Sequence, residues 1–280
     1  MRKSSVLAFA LALVALMMTA CGNNANNASS PSPSQPAASS PATSAGQSSL
    51  DRIKASGKLR IGTEGTYAPF TYHDASGKLT GFDVEIAEEI SKRLGVKAEF
   101  VETQWDGIIA GLEADRFDAI FNEVSIREDR LEKYDFTEPY IVSKAVLLVR
   151  GDNTDIKKLA DLKGKKSAQS LTSNLADIAR ANGAEIVSVD GFNQAIDLLM
   201  SRRVDATIND NLSYLDLKKQ KPDISLKVVD ETSEASRSAA MLLKGNEPLA
   251  EAMNKALADM QSDGAYLRIS DKYFGADVSK

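Results

Sequence analysis

From Leu50 onward the chain alternates between two hydrophobic periods, one of about 3.6 residues and one of short apolar runs. Leu59 to Gly62 predicts a short strand, and the segment from Phe70 to Leu79 predicts a hairpin around the turn cluster Asp74-Ala75-Ser76-Gly77. Phe82, Ile86, Ile90 and Leu94 fall on one helical face, with Gly95 behind them as a terminator. Phe100-Val101 belongs to the next strand. Ala145 to Val149 is a strongly apolar strand of the kind that can carry a chain into a second lobe. A strand at Ser167-Ala168, a helix from Leu175 to Ala181 ending at Asn182-Gly183, and a strand from Glu185 to Val189 follow. Leu226 to Val229 is a further strand, and Ser238 to Leu243 reads as a return crossing. Asn246 is expected to cap a final helix, with Leu249, Met253, Leu257 and Met260 on one face and its end at Gly264. Strands alternating with helices in this way predict an α/β fold.

One stretch is written twice. Trp105 to Glu123 reads WDGIIAGLEADRFDAIFNE, and Phe192 to Asp210 reads FNQAIDLLMSRRVDATIND, without a gap between the copies. Ile109 matches Ile196, Leu112 matches Leu199, Arg116 matches Arg203, Asp118-Ala119 matches Asp205-Ala206, and Asn122-Glu123 matches Asn209-Asp210. Each copy predicts an amphipathic helix that turns into a short buried strand, Ala119 to Phe121 in one and Ala206 to Ile208 in the other. Ligands of open α/β sheets sit outside the carboxyl ends of strands. Glu123 and Asp210 would then stand at two strand ends able to face one cleft.

The first twenty residues carry Arg2-Lys3, an apolar run from Val6 to Met18 and small residues before Cys21, the pattern of a secretory signal peptide. The run is too short to span a bilayer, which takes roughly 20 residues. Met18-Thr19-Ala20-Cys21 resembles the lipobox of bacterial lipoproteins, with Met where Leu is usual; Cys21 would be the lipidated residue, anchored to a membrane by its acyl chains. Gly22 to Ser49 has no charge and no Leu, Ile, Val or Phe, so it cannot offset the entropy of ordering and reads as a disordered tether. Net charge is −5 and no long basic run occurs, which argues against nucleic acid as a partner. With one cysteine in the whole chain, neither an internal disulfide nor a thiol nucleophile is available to the folded part.

The single histidine, His73, lies in the hairpin's polar turn, and no Gly-x-Ser-x-Gly occurs, so no standard hydrolase triad can be assembled. Lys163-Gly164-Lys165-Lys166-Ser167 lacks the leading glycine of a phosphate loop, and no cluster has metal-ligand spacing; no metal and no cofactor are expected. What remains suits a zwitterion. Arg130 can hold a carboxylate with two parallel hydrogen bonds, and Thr172-Ser173-Asn174 precede a helix whose free N–H groups attract anions. Glu64, Glu123 and Asp210 can accept from an ammonium. Blander roles stand beside these: Trp105 as a helix-start core residue, Tyr67 packed on Pro69, and Arg130 paired with Glu132 or Asp135. Asp210 could cap a helix near Leu212, and Glu123 could simply balance the charge of Arg130.

Ile61-Gly62-Thr63-Glu64-Gly65-Thr66-Tyr67-Ala68-Pro69-Phe70, followed by Gly81-Phe82-Asp83, resembles the opening of the amino-acid-binding proteins that feed ABC importers. Ser125 to Arg130 is similar to the segment holding that family's carboxylate-binding Arg, and Asp205 to Asp210 to the strand end holding its ammonium-binding Asp. Gln169 to Asn174 and Glu102 to Asp106 most resemble the L-cystine-binding members. The resemblance covers Leu50 to Lys280. It implies a two-lobed fold of periplasmic-binding-protein type, with two hinge crossings and a cleft that closes on ligand. The expected organisation is a signal peptide over 1–20, a lipidated Cys21 and tether over 21–49, one lobe from 50–144 with 238–280, and the other from 145–237. It further implies that Tyr67 and Trp105 flank the ligand side chain, that Arg130 and Thr172, with Ser125 and Ser173 beside them, hold the α-carboxylate, and that Asp210 holds the α-ammonium. Glu64, Asn122 and Glu123 would add polar contacts. Glu123 departs from the uncharged residue usual in cystine binders, which leaves a basic amino acid open as the ligand. The expected protein is a monomeric, lipid-anchored receptor of the cell envelope that serves an ABC permease. A cyclohexadienyl dehydratase on the same fold is the enzymatic alternative.

Overall fold

The computed structural model describes residues 48–280, so the expected signal peptide, Cys21 and nearly all of the expected tether lie outside the described residues. The first helix starts slightly before Leu50. Ser48 caps a helix, Ser49–Ser56, by accepting from the N–H of Asp51 (3.2 Å).

The first sheet runs in the order Lys97–Glu102, Lys58–Thr63, Ala119–Ile120, Met241–Leu243, Tyr134–Phe136. Its first three strands are parallel, and Met241–Leu243 is antiparallel to both of its neighbours. Successive side chains of a strand point to opposite faces, and both faces of this sheet are covered. Phe121 and Leu242 pack with the helices Phe82–Arg93 and Glu247–Ser262, whereas Ile120 and Met241 pack with Ile108 and Leu112 of the helix Trp105–Glu113.

The second sheet repeats that plan. Glu185–Ser188 pairs parallel with Lys166–Gln169, whose Ser167 bridges Ala206 in parallel; Thr207–Asp210 then pairs antiparallel with Ala145–Arg150, which pairs with Leu226–Glu231. Val146 and Leu148 pack with the helix Phe192–Met200 on one face, and Leu147 and Val149 pack with Leu162 and Ala179 on the other.

Between the sheets the chain crosses twice, and the crossing segments pair with each other as antiparallel strands, Ile141–Ser143 with Ser236–Ser238. The apolar strand expected from Ala145 is found, but as the central strand of the second sheet's antiparallel half; the crossing lies just before it. The run from Ser238 to Leu243 is likewise divided, its first residue in the crossing and its last three in the first sheet. Asn246 does occupy the N-cap position, but its side chain does not cap; its Nδ2 donates instead to the carbonyl of Leu243 (2.9 Å). The chain also does not end its helices at Gly264. That glycine takes φ +76° and opens another helix, Ala265–Phe274, whose Tyr266 is buried against Phe82 and donates to the carbonyl of Tyr140 (2.6 Å). Among the described residues, no helix is long and apolar enough to cross a membrane.

Candidate functional site

The two copies of the repeated stretch fold alike and converge on one cavity. Each is a helix and a strand, Trp105–Glu113 with Ala119–Ile120 and Phe192–Met200 with Thr207–Asp210. The helix-to-strand turns pass through Asp115 and Arg202, matching positions that both take positive φ, 54° and 62°. Both aspartates bind the neighbouring parallel strand: Asp118 accepts from the N–H of Arg60 (2.9 Å), and Asp205 from that of Lys166 (2.8 Å). A void lies between the units. Trp105, Asn122 and Glu123 line it from one copy, and their counterparts Phe192 and Asn209 from the other.

Glu64 and Tyr67 complete the first wall. Asn122 holds Glu64 twice, accepting its N–H at Oδ1 (2.8 Å) and donating from Nδ2 to its carboxylate (2.6 Å). Burial lifts the Glu64 carboxyl to about 7, although the hydrogen bonds from Asn122 and from the backbone of Trp105 pull the other way. Tyr67 reaches across the cavity: its hydroxyl lies 3.3 Å from Oε2 of Glu123 and 3.1 Å from Oδ1 of Asn209. Its ring packs on Phe70, with centroids 5.1 Å apart.

Glu123 is set by its backbone. Its φ is +51°, a region that residues with a side chain rarely enter, and Asp83 accepts its N–H from inside the core. Oε1 of Glu123 accepts from Ser238 (3.0 Å). Burial, and then the charge of Asp210, push the Glu123 carboxyl well above the usual range. Fully buried Asp83 is raised to about 7 by burial, and Asp210 to about 6 by the same cause. The acids of the two copies therefore feel each other. They are not equivalent, however, because Asp210 does not line the void. One of its oxygens caps the helix Asn211–Gln220 at the N–H of Leu212 (2.8 Å), and the other accepts from Ser143.

Arg130 makes neither of the ion pairs that a surface role would give it; Asp135 pairs with Lys244 instead. Its guanidinium is buried over the ring of Trp105, 5.5 Å from the centroid, and donates to the carbonyl of Ser125 (2.9 Å). Burial, with repulsion from Arg127, lowers it to about 10. Trp105 is both core residue and wall: it is 8% exposed, lines the void, and its Nε1 has no hydrogen-bond partner among the described residues. Ser173 lines the void while capping the helix Asn174–Ala181 at the N–H of Ala176 (3.0 Å), and Asn174 Nδ2 lies 3.3 Å from the hydroxyl of Ser125. Thr172 is turned elsewhere. Its N–H and hydroxyl are both bound to Asp106, and it does not line the void. His73, expected in solvent, is exposed but engaged, with its ring nitrogens on the carbonyl of Gly65 (3.1 Å) and the carboxylate of Glu102 (3.2 Å).

Of the ten positions singled out from sequence, Glu64, Tyr67, Trp105, Asn122, Glu123 and Ser173 line the void, and Ser125, Arg130, Thr172 and Asp210 stand behind or beside it. The apolar wall of Val189, Phe192 and Ala195 was missed. The alignment of the copies held the signal for Phe192, which occupies the position of Trp105, and for Asn209, which occupies that of Asn122. Among the described residues, no group of His, Cys, Asp and Glu could hold a metal ion.

Two α/β lobes, crossed twice by the chain and closing on a polar, acid-bearing cavity, define a binding protein for a small charged solute. The chain belongs to the bacterial extracellular solute-binding proteins, family 3, whose model matches residues 59–276. It is 48% identical over 229 residues to the L-cystine-binding protein TcyA of Bacillus subtilis, covering 81% of this chain and 85% of that one. Among solved structures, an ancestral arginine-binding protein bound to arginine is 40% identical with a TM-score of 0.73, over 78% of this chain and 98% of that one. The L-cystine solute receptor of Neisseria gonorrhoeae, in its unliganded open conformation, is 44% identical with a TM-score of 0.56, over 82% of this chain and 98% of that one. A higher identity with a lower score is what a different disposition of like lobes produces. Here the lobes are joined across the cavity by hydrogen bonds, as from Tyr67 to Asn209 and from Ser213 to the carbonyl of Ala68 (3.1 Å).

Proposed function

We propose that this amino-acid ABC transporter solute-binding protein is an extracytoplasmic lipoprotein, anchored through Cys21, that captures L-cystine and delivers it to a permease. The observation that carries the ligand class is the charge left open around the cavity. Among the described residues, Arg130 is a buried guanidinium without a carboxylate partner, and Glu123 is a carboxylate without a cation. A zwitterion supplies both missing charges. In this reading Arg130, with Ser125 and Ser173, faces the α-carboxylate, Glu123 faces an ammonium group with the charge of Asp210 behind it, and Tyr67 and Trp105 flank the ligand between them. Glu64 and Asn122 receive the far end. Cystine has two carboxylates and two ammonium groups, which suits three acids better than a single zwitterion does. The similarity to L-cystine-binding proteins supports the choice. We also propose that the lobes comprise 50–144 with 238–280, and 145–237, and that the protein acts as a binder and not as an enzyme.

The raised acids, with Glu123 foremost, also favour a basic amino acid, and one experiment separates the two. A ligand at a hundredfold excess over Kd stabilises the native state by roughly 2.7 kcal/mol, a shift of a few degrees in Tm. L-Cystine should give that shift, with L-arginine and L-lysine giving less. The folded region contains no cysteine, so dithiothreitol acts on the ligand alone and should largely abolish the cystine shift. A larger shift with arginine or lysine would transfer the assignment to a basic amino acid, and a cystine shift that survives confirmed reduction would overturn the cystine assignment. Turnover of prephenate by the purified protein would instead establish the dehydratase.

A further inference from the structure

Asp106 lies in the first turn of the helix Trp105–Glu113, beside a residue that lines the cavity, yet it does not line the cavity itself. Its carboxylate crosses to the other lobe. Oδ2 accepts from the N–H of Leu171 (3.1 Å), and Oδ1 accepts from the N–H (2.9 Å) and the hydroxyl (2.8 Å) of Thr172. The loop so gripped leads directly into Ser173 and the helix Asn174–Ala181, part of the opposite wall. From its own lobe the same loop is held by Arg180, which donates to the carbonyl of Leu171 (2.7 Å). A second cross-lobe contact lies on that helix, where Arg127 pairs with Asp177 (2.8 Å).

We propose that Asp106 is the closure latch of this cleft: a positioning residue that touches no ligand but holds the two lobes together once ligand is inside. Three hydrogen bonds from one carboxylate join the lobes at an exposed edge. They exist only when the cleft is shut, so they lower the free energy of the closed state and leave the open state unchanged. Each is charge-assisted, the stronger kind of hydrogen bond. The latch also explains the orientation of Thr172, whose donors are committed to the protein's own carboxylate and not offered to the cavity. Its effect belongs in the rate of reopening, because the encounter of ligand with the open cleft precedes it.

This inference rests on the reading of the protein as a receptor that closes on an amino acid, and the test keeps the two apart. Asp106→Asn, Asp106→Ala and the carboxylate-retaining Asp106→Glu are compared with wild type in the full chain. Dissociation and association rates are measured with L-cystine and with L-arginine, and amide exchange is followed at Leu171 and Thr172. The Asn and Ala variants should release ligand about tenfold faster or more, with association changed by less than about threefold. They should also lose protection of those two amides while keeping the ligand-free Tm, and Asp106→Glu should fall between them and wild type. An unchanged release rate with unchanged amide protection overturns the latch. Slower release from Asp106→Asn also overturns it, and would mean that Asp106 competes with the ligand's carboxylate for Thr172. If wild type binds neither amino acid, the ligand reading fails, whereas protection of Leu171 and Thr172 that Asp106→Asn removes still upholds the contact.

Discussion

Arg130 owes its interest to what surrounds it. A guanidinium lowered to about 10 by burial, stacked on Trp105 and bound to one carbonyl, is an incompletely satisfied charge. Truncating one member of a buried charge pair costs about 2–5 kcal/mol of binding, much of it from stranding the other charge. Because the side chain also packs on Trp105, the cleaner variant is Arg130→Met, which keeps most of the volume and removes the charge. Calorimetry should show the affinity for the ligand reduced by at least about a hundredfold, the lower part of that range, with the ligand-free Tm close to wild type. Binding within twofold of wild type would remove Arg130 from the site. The burial that gives this residue its character could not be read from Ser125 to Arg130 alone, since pairing with Glu132 or Asp135 satisfied the same sequence.

At the scale of elements, the repeat does two separable jobs. Its aspartates are architectural, each fastening a helix-to-strand turn to the neighbouring parallel strand through backbone N–H and C=O groups. Asp118 additionally binds the guanidinium of Arg60 at Nη2 (2.7 Å), whereas Asp205 has no such side-chain partner among the described residues. Hydrogen bonds to charged groups contribute about 1.5–3 kcal/mol each. Asp118→Asn should therefore destabilise by about 2–3 kcal/mol and Asp205→Asn by about 1–2 kcal/mol in urea unfolding, with m unchanged and ligand affinity altered far less than in Arg130→Met. Equal losses would mean that the Arg60 contact contributes nothing, and a large affinity loss from either would tie these residues to the cavity. The other job falls to the ends of the copies. Trp105 and Phe192 open the two helices, Glu123 and Asp210 close the two strands, and the cavity lies among them.

For the whole molecule, closing a cleft over several carboxylates has a consequence in pH. Glu64 and Asp83 are raised to about 7 and Asp210 to about 6, and Glu123 is raised well above the usual carboxyl range, all chiefly by burial. In the unfolded chain these groups titrate near 4, so between about pH 4 and 7 the native state binds more protons than the unfolded one. Raising pH through that window therefore costs stability, and acidification within it restores stability. The ligand-free protein should melt several degrees higher at pH 5 than at pH 8, and a saturating ligand that brings ammonium groups should flatten the difference. A ligand-free Tm that is level or rises from pH 5 to 8 would show that the cleft acids are ionised and paired already.

Local pattern was enough to give the elements and their class. Hydrophobic period, turn residues and the doubled stretch depend on neighbours along the chain, and the strands and helices predicted from them are present, with the run at Ser238 to Leu243 divided; the terminal helices Ser49–Ser56 and Ala265–Phe274 were not foreseen. The motif from Ile61 to Phe70 and the segment around Arg130 likewise carried the family. What each polar group is free to do depends instead on its neighbours in space. Asp210 and Glu123 occupy matching positions of one repeat, yet the first is spent on Leu212 and Ser143 while the second is turned to the cavity by a left-handed backbone that buried Asp83 holds. Thr172 faces Asp106 and not the ligand space, because a contact between lobes claims its donors first. Hydrogen-bonding groups are assigned by distance in space, and partners 66 residues apart, such as Asp106 and Thr172, leave no local period by which to find each other.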